Sequence, residues 1–154
     1  RGDTDADYES VDALVHSFVD SVAKNGNLLL NVGPRGDDAQ IPQEQVSRLK
    51  GFGAWLKANG DGIYGTRPWT RAEGKTADGG RVRFAAKGAT VYVHLLDAPK
   101  TKEIVIEGED LASIKKVVHL ASGRALTCKA FGTGLNILLD QTLSDSPAHG
   151  FALL

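Results

Sequence analysis

The chain has 154 residues, enough for one domain or a small domain joined to part of another, but short of a (β/α)8 barrel of roughly 250 residues. Eighteen Lys and Arg residues nearly balance nineteen Asp and Glu residues, so no basic surplus favours nucleic acid or an anionic membrane. No apolar run approaches the roughly 20 residues of a membrane-spanning helix, and we expect a neutral, soluble substrate or partner.

The N-terminus indicates processing. The chain begins with Arg1, contains no Met, and opens with polar and acidic residues where a signal peptide has a basic start and an apolar stretch. We therefore expect a chain that was trimmed or taken from a longer product, with no export signal in it. The single cysteine, Cys128, allows no intrachain disulfide.

The first third of the sequence predicts a helix, a buried strand and a second helix. Apolar residues recur at three- and four-residue spacing over residues 10–23, with Ser10 as the expected N-cap. Residues 28–32 form a short apolar run typical of a parallel strand that is covered on both faces. A second helix is expected over residues 42–58. Its predicted inner face consists of Val46, Leu49, Gly53 and Leu56.

From residue 63 onward the apolar pattern changes to a period of two, and Gly, Pro and Asp separate the short segments. This pattern predicts an antiparallel β-sandwich. The predicted strands cover residues 81–86, 90–96, 103–107, 115–120, 125–130, 135–139 and 150–154. We place a domain boundary between residues 1–60 and residues 61–154.

Two motifs are more specific than this element order. Residues 25–34 read NGNLLLNVGP, and residues 59–69 read NGDGIYGTRPW, with Ile41 and Pro42 between them. In these motifs and their spacing, the chain resembles the C-terminal part of the α-L-fucosidases of glycoside hydrolase family 29. The resemblance is clear over roughly residues 8–70 and continues beyond them only as a strand pattern.

The resemblance implies a fold and an activity. Members of the family have a (β/α)8-like catalytic barrel followed by a β-sandwich, so we expect an α+β fold. Residues 1–60 would form a partial (β/α)8-barrel remnant of order α-β-α, and residues 61–154 an antiparallel β-sandwich. Members hydrolyse α-L-fucosides with retention, using an Asp nucleophile and commonly a Glu acid/base. The family motifs that carry these two carboxyl groups have no counterpart here, which implies a truncated chain whose own catalysis is doubtful.

Candidate site residues follow from the barrel geometry. Active sites of such barrels lie at the C-terminal ends of the strands, and this places them near residues 31–38. Asp37 and Asp38 are the acids in that stretch and the only catalytic candidates, although loop acids also act as turn formers. Asn31 and Arg35 are candidates for substrate binding. Asn31 can equally satisfy the barrel backbone, and Arg35 can simply be solvated.

Partners follow from the same resemblance. Fucosylated glycans are the implied substrates, and a non-catalytic carbohydrate-binding or structural β-sandwich is the alternative function. An isolated strand at residues 28–32 and two apolar helix faces would expose unpaired backbone and apolar surface, so we expect a homo-oligomer. No spacing of His, Cys or acids indicates a metal site, and no cofactor is expected. Family members are often secreted, periplasmic or lysosomal, which leaves the localisation open.

Overall fold

The computed structural model describes residues 5–154, which form two α-helices and eight β-strands. The helices are α1 (Val11–Ala23) and α2 (Gln43–Asn59). The strands are β1 (Glu73–Lys75), β2 (Arg81–Lys87), β3 (Thr90–Leu95), β4 (Glu103–Ile106), β5 (Val117–His119), β6 (Arg124–Phe131), β7 (Gly134–Leu138) and β8 (His149–Leu153). Seven of these strands were predicted, and β1 was not. Within the described residues, neither helix is long and apolar enough to cross a membrane.

Helix α1 begins and ends as the sequence predicts. The Ser10 side chain accepts a hydrogen bond from the Ala13 N–H, which satisfies one of the free donors of the first turn. At the other end, the Gly26 N–H binds the Ser21 carbonyl and the Asn25 N–H binds the Val22 carbonyl. Asn25 has a positive φ of 63°, so the pair of bonds forms a Schellman ending with Asn in the left-handed position.

The segment between the helices differs from the prediction. Residues 28–32 belong to no strand, and among the described residues no backbone hydrogen bond joins them to another segment. A strand exists only when a neighbouring strand accepts and donates its hydrogen bonds, and a parallel strand needs such neighbours within the same sheet. The apolar run is present, but residues 5–154 offer it no strand partner.

The predicted inner face of α2 is only partly correct. Val46 and Leu56 are half-buried, whereas Leu49 and Gly53 are exposed. The buried residues of this helix are Trp55 and Asn59. The discrepancy arises because α2 packs its C-terminal end against α1 and the sheet, along a stripe that runs through Trp55 and Asn59.

The strands form one antiparallel, nearly closed sheet in the order β1-β2-β3-β8-β5-β6-β7-β4. The first half of β6 pairs with β5 and its second half with β7, so this strand turns the corner between two layers. A single bridge between Thr76 and Ile106 joins the two outer strands. This arrangement confirms the predicted antiparallel β-sandwich in a chain of class α+β.

Two clusters of buried side chains hold the fold together. The larger lies between the layers of the sheet, and burial of each large apolar side chain contributes about 1.5–3 kcal/mol. Its least exposed members are Val82, Phe84, Val93, Ile106, Leu111, Val117, Leu135, Ile137, Phe151 and Leu153. The smaller joins the helices to the sheet through Val15, Val19, Trp55, Ile63, Leu96 and Ala148. The division at residue 60 remains a prediction.

Candidate functional site

A cleft of about 360 Å³ lies beside the unpaired segment between the two helices. Its apolar walls come from Leu14 of α1, Leu30 and Val32 of the segment, and Leu49 of α2. The remaining lining residues are polar or glycine: Asp7, Tyr8, Glu9, Asn31, Gly33, Gln45 and Arg48. The cleft therefore combines an apolar wall with a rim of hydrogen-bonding groups, as small-molecule sites do.

Two side chains of α2 fix the geometry of this cleft. The Gln45 carbonyl oxygen accepts the Gly33 N–H at 2.8 Å, and its amide donates to the Tyr8 hydroxyl at 3.3 Å. Arg48 donates to the Glu9 carbonyl at 3.2 Å, pairs with the Asp5 carboxylate, and lies over the Tyr8 ring. The segment that leads into α1 and the end of residues 28–33 are thus tied to the same helix.

Asn31 is the predicted site residue that the structure places in the cleft. Its side chain is exposed, whereas its neighbours Leu28 and Leu30 are half-buried. An amide offers both a donor and an acceptor, so this position suits a hydroxyl group of a sugar.

The other three predicted site residues belong to a separate turn. Arg35 donates to the Asp38 carboxylate through Nε at 3.1 Å and through a second, shorter bond. The Gln40 N–H donates to the same carboxylate at 3.0 Å, while the Arg35 N–H binds the Gln40 carbonyl at 2.8 Å. Asp37 is 81% exposed and lies 4.0 Å from the Arg35 Nε. These contacts hold residues 35–40 in a compact turn.

The electrostatics of this turn limit its chemistry. The hydrogen bond from Arg35 lowers the pKa of the Asp38 carboxyl, and the backbone bond from Gln40 adds to the effect. A carboxyl with a lowered pKa stays ionised near neutral pH, which is the wrong state for a general acid. A retaining glycosidase needs two carboxyl groups roughly 5–5.5 Å apart on either side of the scissile bond. Two adjacent exposed residues of a single turn do not provide that arrangement.

The histidines lie elsewhere and most of them are buried. His94, His119 and His149 lie on β3, β5 and β8, and His16 on α1 donates from its Nε2 to the Pro147 carbonyl at 2.7 Å. In the part of the chain that the structure describes, no group of three or more His, Cys, Asp or Glu residues is placed to hold a metal ion.

The helices and the cleft lie in a part of the chain that matches a known protein family. The α-L-fucosidase family model matches residues 2–61, which include both helices and the cleft. The α-L-fucosidase of Branchiostoma floridae is 40% identical over 106 residues, which are 69% of this chain and 23% of that protein. The crystal structure of Thermotoga maritima α-fucosidase in complex with fucose matches the whole chain with a TM-score of 0.86 and 39% identity.

The chain belongs to the α-L-fucosidase family.

A further relative supports this assignment and defines its extent. The α-L-fucosidase isoenzyme 1 of Paenibacillus thiaminolyticus is 32% identical, with a TM-score of 0.81 over 96% of this chain. The chain spans 36% of the Thermotoga maritima structure and 35% of the Paenibacillus one. It corresponds to the C-terminal portion of these fucosidases.

Apart from Asn31, the sequence did not indicate the polar side chains that build the cleft. Gln45 and Arg48 were missed, although they lie three residues apart and therefore on one face of α2. Tyr8 was missed as well, although it lies two residues before the Ser10 cap. Their roles depend on contacts with residues 33 and 5–9, which are distant in sequence from α2.

Proposed function

We propose that this chain supplies the C-terminal part of a retaining α-L-fucosidase, an enzyme that releases α-linked L-fucose from fucosylated glycans. The observation that supports the proposal most directly is the match of the whole chain, at 39% identity, to a fucosidase structure that contains fucose. In this proposal the nucleophile and the acid/base come from another part of the enzyme. In this proposal, the 154-residue chain supplies the last part of the catalytic domain and the β-sandwich that follows it.

In this proposal, residues 28–32 lie on the surface that faces the remainder of the catalytic domain. Leu29 is 84% exposed, and Val32 and Leu49 are 37% and 36% exposed on the same part of the chain. Residues 28–32 also leave their backbone donors and acceptors unpaired within the described residues. A neighbouring strand on each side would satisfy these groups and cover the apolar side chains.

Asn31 is the substrate-side residue of this proposal. It lines the cleft at the C-terminal end of the segment, where the active sites of (β/α)8 barrels lie. Its amide would hydrogen-bond a sugar hydroxyl or orient a catalytic group of the completed site. Arg35 would act at the rim only if a ligand displaced it from Asp38, because its guanidinium is occupied by that carboxylate.

We also infer a homo-oligomer for the chain when it is produced alone. Residues 28–32 carry exposed apolar side chains and, as far as residues 5–154 show, an unpaired backbone; both favour association with the same surface of a second copy.

Hydrolysis of a chromogenic α-L-fucoside tests the proposal. We expect no turnover by the purified chain alone, with its intact mass confirmed, because the pair of catalytic carboxyls is incomplete. We expect turnover when the chain is mixed with the complementary upstream part of the Thermotoga maritima fucosidase. An Asn31→Ala variant should lower kcat/KM in that mixture by about 10- to 100-fold if its hydrogen bond is made in the transition state.

Two results would contradict the proposal. A stable complex of the two parts that shows no turnover would argue against a fucosidase role for this chain. Turnover by the chain alone that disappears in Asp37→Asn and Asp38→Asn variants would instead locate an autonomous site in the turn.

A further inference from the structure

A second cleft lies at the opposite end of α2 from Gln45. It has a volume of about 530 Å³ and lies between the last turn of the helix, the 3-10 turn Gly60–Gly62 and Leu120 after β5. This volume lies within the range of about 300–1,000 Å³ that small-molecule sites occupy. None of the residues proposed above for the fucosidase site contributes to this cleft.

An exposed aromatic ring forms one wall of this cleft. Tyr64 is 62% exposed, although its backbone is fixed by a 2.7 Å bond from its N–H to the Gly60 carbonyl. Its own carbonyl accepts a hydrogen bond from Lys87 at 3.2 Å. One edge of the ring rests on Gly60, where a Cβ atom would lie only 2.7 Å from Tyr64 Cε2. The ring therefore presents an exposed aromatic surface beside the cleft, next to a backbone that is held by hydrogen bonds.

Two charged side chains of opposite sign line the same cleft. Lys57 and Asp61 are exposed, and within residues 5–154 neither side chain forms an ion pair or a hydrogen bond. Many other exposed charges of this chain are paired, such as Arg81 with Asp97 and Arg35 with Asp38. The cleft therefore keeps a free cationic donor and a free anionic acceptor beside an aromatic face.

From these contacts we propose that the Tyr64 cleft, lined by Leu56, Lys57, Gly60, Asp61, Tyr64 and Leu120, binds a neutral oligosaccharide. A sugar ring has an apolar face that packs against an aromatic ring and hydroxyl groups at its edge that both donate and accept. Hydrogen bonds to charged partners are stronger than those between neutral groups, so Lys57 and Asp61 would orient the hydroxyls. The balanced charges disfavour an anionic or cationic ligand.

The choice of a fucosylated ligand rests on the proposed function. The oligosaccharide site itself rests only on the contacts of the Tyr64 cleft. The test is a titration of the isotope-labelled chain with 2′-fucosyllactose, followed by nuclear magnetic resonance, with lactose as the matched sugar that lacks fucose. We expect amide shifts to change around residues 57–64 and Leu120, with weaker binding of lactose.

Variants assign the binding to the cleft. Tyr64→Ala should weaken binding about tenfold or more, Tyr64→Phe should retain it within about twofold, and Asp61→Asn should weaken it about three- to tenfold. Phe131→Ala is the matched control, because Phe131 is 55% exposed but does not line this cleft. Unchanged melting temperatures would show that the variants are folded.

The outcomes separate the two proposals. Absence of binding, or binding that Tyr64→Ala leaves unchanged, would overturn the inference and leave the fucosidase proposal to its own hydrolysis test. Equal, Tyr64-dependent binding of lactose would support the oligosaccharide site while arguing against fucose as its determinant.

Discussion

His94 shows how burial controls the charge of a single residue. The side chain is 2% exposed, and its Nε2–H donates to the Gly62 carbonyl at 3.1 Å. The other ring nitrogen is buried and has no hydrogen-bond partner among the described residues, so a second proton there would lack an acceptor. Burial lowers the pKa of His94 to about 4, and the bond to Gly62 opposes this shift only in part.

This lowered pKa predicts a dependence of stability on pH. Between its ordinary pKa of 6.5 and about 4, the unfolded chain binds a proton at His94 that the folded chain excludes. The free energy of unfolding should therefore be fully retained above about pH 6.5 and fall as the pH decreases towards 4. The contribution of this one residue is on the order of 3 kcal/mol.

A neutral replacement isolates that contribution. His94→Gln keeps an N–H donor for Gly62 but does not titrate, so its unfolding free energy should fall less between pH 7 and pH 4. Urea denaturation at several pH values measures how the unfolding free energy of each protein changes with pH. A packing loss in the variant lowers its stability at every pH and therefore does not affect this change. Parallel slopes for the two proteins would show that His94 is not the source.

At the scale of elements, the C-terminal turn of α2 fastens the helices to the sheet. The Trp55 indole N–H donates to the Ala148 carbonyl at 2.8 Å. The Asn59 side chain accepts the Gly150 N–H at 3.1 Å and donates to the Trp55 carbonyl at 3.1 Å. Asn59 is only 1% exposed, so these bonds form where water cannot replace them.

Removal of the Asn59 amide should therefore destabilise the chain. Asn59→Ala leaves the Gly150 N–H buried without its acceptor, and we expect a loss of about 1–3 kcal/mol in the free energy of unfolding. Lys50→Ala, at an exposed position of the same helix, is the control and should change stability by less than about 0.5 kcal/mol. Equal effects of the two substitutions in urea denaturation would contradict the role assigned to Asn59.

The connection between α1 and the sheet is electrostatic as well as apolar. Asp20 of α1 contacts both Lys24 and Arg83, and Glu73 of β1 contacts the same two cations. Burial by itself raises the pKa of Asp20, but the hydrogen bonds and the charges of Arg83 and Lys24 together lower it below its ordinary value. Arg83, which is largely buried, and its acidic partners thus link helix α1 to strands β1 and β2.

At the scale of the whole molecule, one surface remains uncovered. Within the described residues 5–154, the backbone of residues 28–32 has no hydrogen-bond partner, and Leu29 projects an apolar side chain that is 84% exposed. The β-sandwich is nearly closed, because the bridge between Thr76 and Ile106 joins its two outer strands β1 and β4. Association is therefore expected at the helical end of the molecule.

Light scattering tests the inferred homo-oligomer. One chain has a mass of 16.3 kDa, and we expect at least twice that mass at micromolar concentration. Leu29→Asp should shift the population towards the monomer by placing a charge in the interface. Phe131→Asp serves as the control at another exposed apolar position and should leave the mass unchanged. A monomeric mass for the unmodified chain would refute the oligomer.

Local patterns made much of the fold predictable. Ser10 predicted the start of α1 because capping depends on residues within one turn of the helix. Alternation of apolar and polar residues from Val91 to Leu95 predicted β3 because successive side chains of a strand point to opposite faces, although the structure buries both faces of this strand. The missed strand β1 has three residues, Glu-Gly-Lys, and carries no apolar alternation.

By itself the sequence determined the family, the two helices, seven of the eight strands in the described residues and the stretch that contains Asn31. These properties depend on short-range periodicity and on motifs that are read along the chain. Only the tertiary structure decided that residues 28–32 lack a strand partner and that Trp55 and Asn59 face the sheet. The tertiary structure also placed Tyr64 over Gly60, beside two charges that have no partner in the described part of the chain. Pairing and burial depend on residues that are distant in sequence, and no local pattern specifies which of them meet.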